Sequence, residues 1–212
     1  MYYTELCRVK SLTLKPALEN LNPSHYWDAP EVGFAADSPG MVNFASRMEK
    51  ALQVLNALER DGVLSRYAIG GAMGATFYVE PVLTFDLDIF VILPETARGL
   101  LTLQPLYEAL RARGYAEEGE CVNIEGVPVQ FLPAHNDLLL EALAEARQTL
   151  YEQTPTRVLR AEHLAAIAVQ TGREKDRERV RLLLKQASLD DNYLASVLAR
   201  HGLEARWKEW TS

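Results

Sequence analysis

Cysteine is nearly absent from this 212-residue chain: Cys7 and Cys121 are the only two, and they stand at no metal-ligand spacing. Such a count excludes a disulfide scaffold and fits reduced structural thiols. Long apolar runs are missing as well. None reaches the roughly 18 residues of a membrane span, and the first residues carry no charged-then-apolar leader, so the expectation is a cytoplasmic protein with no membrane partner. Positive charge is in deficit, with 22 Lys+Arg against 29 Asp+Glu and a net charge of −7. That argues against a general nucleic-acid binder and leaves room only for a local basic groove. Neither Gly-Lys-Ser/Thr nor Gly-x-Gly-x-x-Gly occurs, which excludes the P-loop and the dinucleotide fingerprint. His25, His135, His163 and His201 form no metal-spaced pair and have no Ser or Cys nucleophile pattern beside them, and all four read as structural.

What is present is ordinary in bulk, with 48% hydrophobic and 24% charged residues, enough for a core in one domain or in one domain plus a small helical appendage. One stretch stands apart. Residues 66–69 read as a strand, Gly70-Gly71 as a turn, 72–79 as a short helix ending before Pro81, and 83–93 as a second strand. Strand side chains alternate faces, so Asp86 and Asp88 share one face with Thr84 while Phe85, Leu87, Ile89, Val91 and Leu93 line the other. A carboxylate pair at the mouth of so apolar a strand calls for a cation or protons in compensation. Glycines without Cβ let backbone N–H groups approach an anion closely. A solvated edge strand and a merely tight turn are the structural alternatives.

Around this stretch, residues 1–40 contain Pro16, Pro23, Pro30 and Pro39 among Tyr26, Trp27 and Phe34. They read as an arm that covers an apolar patch on its own domain, on a second copy of the chain, or on a partner protein. A helix is expected over 42–60 and another from Pro105 to Gly114. A hairpin over 121–131 should turn at Glu125-Gly126. Further helices are expected over 136–145, 162–170, 174–186, and from a cap at Asp190 or Asp191 to His201, with a short strand at 157–160. Pro128 has no N–H to give a ladder, so its nitrogen should face away from a partner strand or lie at an edge. Arg173, Lys175 and Asp176 open the 174–186 helix inside a charge run that a solvated helix face also explains.

Strand, Gly-Gly, helix, then hydrophobic-Asp-hydrophobic-Asp-hydrophobic resembles the DNA polymerase β-type nucleotidyltransferase superfamily over about residues 43–200. The segment from Leu159 to Leu184, with its Arg173-x-Lys175-Asp176 run, is similar to the C-terminal part of bacterial nucleotidyltransferases related to abortive-infection toxins of toxin–antitoxin type. The resemblance implies an α/β (α+β) fold with a mixed sheet flanked by helices. It also implies an arm at 1–40, a nucleotidyltransferase-like domain at 41–153 and a helical subdomain at 154–212. Asp86 and Asp88 would hold Mg²⁺ (or Mn²⁺), and Gly70 and Gly71, with Thr84, Arg173 and Lys175, would bind a nucleoside triphosphate. Asp176 would meet the attacking hydroxyl or the metal shell. The superfamily's third acid falls at Gln130, an amide that binds Mg²⁺ poorly.

Transfer of a nucleoside monophosphate to a hydroxyl acceptor, whether RNA, protein or small molecule, is the leading expectation. A nucleotide- or protein-binding module without turnover, and a phosphotransferase, remain beside it.

Overall fold

Two apolar layers, one on each face of a sheet, organise the chain. The computed structural model describes residues 44–80, 84, 86–94 and 102–212. In chain order the elements begin with helix α1 (Phe44–Arg60), strand β1 (Arg66–Ile69), helix α2 (Gly71–Ala75), strand β2 (Leu87–Ile92) and helix α3 (Gln104–Ala112). Strands β3 (Glu117–Glu118), β4 (Cys121–Ile124) and β5 (Val127–Pro133) follow, then helix α4 (Asp137–Ala144), strands β6 (Arg147–Tyr151) and β7 (Thr154–Val158), and helices α5 (Ala161–Thr171), α6 (Glu174–Gln186), α7 (Asp191–Arg200) and α8 (Glu204–Thr211). The seven strands form one mixed sheet in the order β3-β4-β5-β2-β1-β7-β6. β1 is antiparallel to β2 and parallel to β7, and β2 is parallel to β5.

Strand alternation makes the layers. Tyr67, Ile69, Leu87, Ile89, Val91, Val127, Val129 and Phe131 pack with α1 and α3 on one face. Ala68, Phe90 and Leu132 turn to the other face, against α4, α5 and the helices that follow. This is the mixed sheet flanked by helices that the alternating patterns imply. Among the described residues no helix is long and apolar enough to cross a membrane.

Several boundaries differ from expectation. The helix after the glycines covers Gly71–Ala75 rather than 72–79; past it the Thr76 hydroxyl donates to the Met73 carbonyl (2.6 Å) and the Tyr78 hydroxyl to the Leu159 carbonyl (3.0 Å). β2 starts at Leu87, so Asp86 precedes it, and 81–83 and 85 fall outside the described residues. β6 was not expected: it is an edge strand, exposed along most of its length, with no alternation to betray it. Its hairpin partner β7 spans Thr154–Val158 rather than 157–160, and the run of helices starts at Ala161. α8 was missed because it is short and buries a single residue, Trp210. The arm at 1–40, with Cys7 and His25, lies outside the described residues.

Other local rules hold. Glu125 and Gly126 take φ of +54° and +82°, the paired positive values of a two-residue hairpin turn. That turn makes Ile124–Val127 the hydrogen-bonded closing pair, so Pro128, opposite Asn123, sits at a non-bonded position. Its nitrogen points to the β2 side, ahead of the first β2 pairing at Val129. An interior strand thus accommodates a proline. Asn136 and Asp190 cap α4 and α7 with their side chains, accepting from the Leu139 and Tyr193 N–H groups.

Candidate functional site

β1 runs out at Ile69, and the Gly70 N–H still donates to the Asp88 carbonyl at 2.9 Å, which pins the glycine turn against β2. Each glycine is then required by a different side chain of that strand. A Cβ on Gly70 would lie 2.3 Å from the Phe90 ring; one on Gly71 would lie 1.6 Å from Asp88 Oδ2, at a φ of +58° that already favours glycine. Gly70 therefore serves packing, and Gly71 makes room for the carboxylate.

Burial pushes the Asp88 carboxyl up to about 6, the charge of Asp86 adds to the effect, and Arg179, Lys175 and Arg173 oppose it. Those three cations come from the start of α6, which contacts α2. The Asp88 carboxylate makes no hydrogen bond or ion pair among the described residues. Asp86 accepts from the Thr84 hydroxyl at 2.7 Å, so Thr84 orients a carboxylate in this structure.

Asp176 is fully buried, and its two oxygens are taken up by arginines: Arg173 donates at 2.6 and 3.2 Å and Arg179 at 3.1 Å. Its contacts are thus with the two guanidiniums rather than with open space. Arg173 and Lys175 are exposed. Arg179 was missed by sequence reasoning, being hidden in the charge run. Its signal was helical spacing, three residues after Asp176 and four after Lys175 on one face.

Gln130 stands in parallel register with Asp88, on the same side of the sheet, and donates to Glu120 Oε2 at 3.3 Å. Glu120, in the turn before β4, had no sequence signal at all. Among the described residues no group of three or more His, Cys, Asp or Glu side chains gathers as a metal site. The donors at hand are the Asp86 and Asp88 carboxylates. Two hard-oxygen donors, that of Asp88 desolvated and without a hydrogen-bond partner, fit a magnesium ion of the kind held by one or two carboxylates together with substrate phosphates.

The histidines stay apart from this end. His163 is buried and shares Glu141 with His201, at 3.2 and 2.8 Å, in a junction of α4, α5 and α7 that Arg200 completes at 2.6 Å; His135 is exposed. A cavity lined by Asn56, Thr149, Pro155, Thr156 and Arg157 opens beside β6 and β7 and includes none of the site residues.

The sequence matches no protein-family model and none of the curated proteins. Among solved structures, the chain is similar to the solution structure of the antibiotic-resistance factor ANT(2'')-Ia, with 19% identity over 78% of this chain and 95% of that one and a TM-score of 0.47. The crystal structure of ANT(2'')-Ia in complex with adenylyl-2''-tobramycin gives 19% identity, 77% and 98% coverage and a TM-score of 0.46. An antigenic nucleotidyltransferase-like protein from Paracoccidioides brasiliensis gives 13%, 76%, 92% and 0.48.

Proposed function

We propose that the chain is a magnesium-dependent nucleotidyltransferase that moves a nucleoside monophosphate from a nucleoside triphosphate to a hydroxyl acceptor. One observation carries the reading: a desolvated carboxylate, Asp88, is pressed against a glycine turn and lies within the field of three cations of a single helix end. Structural charge alone explains this poorly, because an unpaired buried carboxylate beside a second one costs stability.

Asp86 and Asp88 would hold the ion, which supplies Lewis-acid charge neutralisation when bound. Arg173, Lys175 and Arg179 bind the triphosphate oxygens, with Asp176 fixing the two guanidiniums so that little side-chain freedom is lost on binding. Thr84 fixes Asp86, and Gly71 keeps the backbone clear of Asp88. The acceptor oxygen attacks the α-phosphorus, and pyrophosphate leaves with the bond pair from the α–β bridging oxygen. The Arg-x-Lys-Asp run at Arg173, Lys175 and Asp176 is also the feature that suggests a relation to toxin-type nucleotidyltransferases.

Gln130 beside Asp88 favours a second reading, a nucleotide-binding module without turnover. Calorimetry with ATP, GTP, CTP and UTP, with and without Mg²⁺, tests the site; transfer of α-labelled nucleotide into a cell extract tests the chemistry. Metal-dependent binding and labelled product are expected. Equal affinity in excess chelator would remove the metal site, and binding without any transfer would leave the module.

A further inference from the structure

We propose that Glu120 is the general base for the acceptor hydroxyl, and this rests on the nucleotidyl-transfer reading above. Asp88, Gln130 and Cys121 are register partners across β2, β5 and β4, so their side chains share one face of the sheet in a single row with strands about 4.8 Å apart. Glu120 directly precedes Cys121 and reaches back to this row, where Gln130 Nε2 donates to its Oε2 at 3.3 Å.

An amide is no base near neutral pH, because its nitrogen lone pair is delocalised into the carbonyl. Gln130 therefore does not take the proton of a hydroxyl bound beside Asp88. What it does is hold a carboxylate in place from the neighbouring turn. Among the described residues Glu120 has no ion pair, and it is exposed, so an acceptor arriving from solvent can reach its carboxylate. The charges of Arg179, Lys175 and Arg173 act on Asp88, and among the described residues none of the three is hydrogen-bonded or ion-paired to Glu120, so phosphate binding and proton removal are divided between α6 and the β3–β4 turn.

The acceptor O–H proton moves to Glu120 Oε as the acceptor oxygen bonds the α-phosphorus. The bond from that phosphorus to the α–β bridging oxygen breaks, and pyrophosphate carries away the electron pair. Glu120 returns its proton to solvent.

The experiment compares wild type, E120Q and the double variant E120Q/Q130D, which moves the carboxylate from the turn to the strand. Calorimetry with Mg²⁺ and a non-hydrolysable ATP analogue reads binding, and α-labelled nucleoside triphosphates in a cell extract read transfer. General-base loss removes about 10²–10⁴-fold of rate. E120Q is expected to bind the analogue within about twofold of wild type and to lose about 100-fold or more of transfer, and E120Q/Q130D to recover at least about tenfold of that loss. Transfer by E120Q at the wild-type rate, or a loss that Q130D leaves unrepaired, overturns the role of Glu120 and leaves the nucleotidyltransferase reading standing. Wild type that binds no triphosphate, or binds and transfers to nothing, overturns both.

Discussion

Gly71 and Asp88 leave no space for a side chain between them: a Cβ at position 71 would stand 1.6 Å from Asp88 Oδ2. The backbone turn and the carboxylate are therefore one fitted unit, and whatever displaces one displaces the other.

Gly71→Ala accordingly combines overpacking with a positive φ, and is expected to cost about 2–4 kcal/mol. Gly62→Ala is the control, since Gly62 has a similar φ of +73° and nothing within 4 Å of its Cβ position; it should cost about 1 kcal/mol. Thermal unfolding measures both. Equal Tm changes for the two variants would show that Asp88 yields freely to the new methyl group.

Asp88→Asn tests the charge. The folded chain holds the Asp88 proton more tightly than an unfolded chain does, so ionised Asp88 costs stability, in full above about pH 6 and less as pH falls. At pH 8 without metal the variant should be more stable than wild type by on the order of 2 kcal/mol. Mg²⁺ with ATP should then raise the Tm of wild type and leave that of the variant unmoved. A metal-free variant less stable than wild type would mean that the carboxylate has a protein partner.

The α6 cations divide by burial. Asp176→Ala leaves the half-buried Arg179 without its carboxylate and should cost on the order of 1–3 kcal/mol, with Arg173, which is exposed, returning to solvent at little cost. Lys175→Met, at an exposed position, should leave Tm within about 1–2 °C while weakening Mg²⁺–ATP affinity in calorimetry. Full affinity in Lys175→Met would take Lys175 out of the phosphate site.

Glu141 makes the chain sensitive to acid. Arg200, His201 and His163 hold its carboxyl down to about 2 against the opposing effect of burial, while burial holds His163 below its ordinary value. Both depressions have the same sign, since the unfolded chain binds more protons. The stabilisation is present above the ordinary carboxylate and imidazole ranges and is lost as pH falls, from His163 below about 6.5 and from Glu141 between about 4.5 and 2. In urea unfolding at pH 7 and pH 4, Glu141→Gln should narrow the difference that wild type shows. An unchanged difference would move the acid sensitivity elsewhere.

Periodicity alone placed the strand at 66–69, the α6 span at 174–186 and the Glu125-Gly126 hairpin, since each depends on near neighbours: alternation, helical spacing and paired turn residues. The same local logic put Gln130 on the face away from Val127, Val129 and Phe131. β6 and α8 were illegible because an exposed edge strand and a short helix with one buried residue leave no pattern in the chain.

The sequence by itself determined the β1 strand, the glycine turn after it and the span of α6, because strand alternation, glycine geometry and helical spacing act within a few bonds of each residue; the fit of Gly71 against Asp88, 17 positions on, belongs to the fold. Only the tertiary structure decided what surrounds Asp88. Arg179 lies 91 positions further along the chain and Glu120 lies 32, and contacts at such separations are set by strand register and helix docking. The same holds for Asp176, whose place in a charge run fits a solvated helix face and whose place in the fold is buried between Arg173 and Arg179.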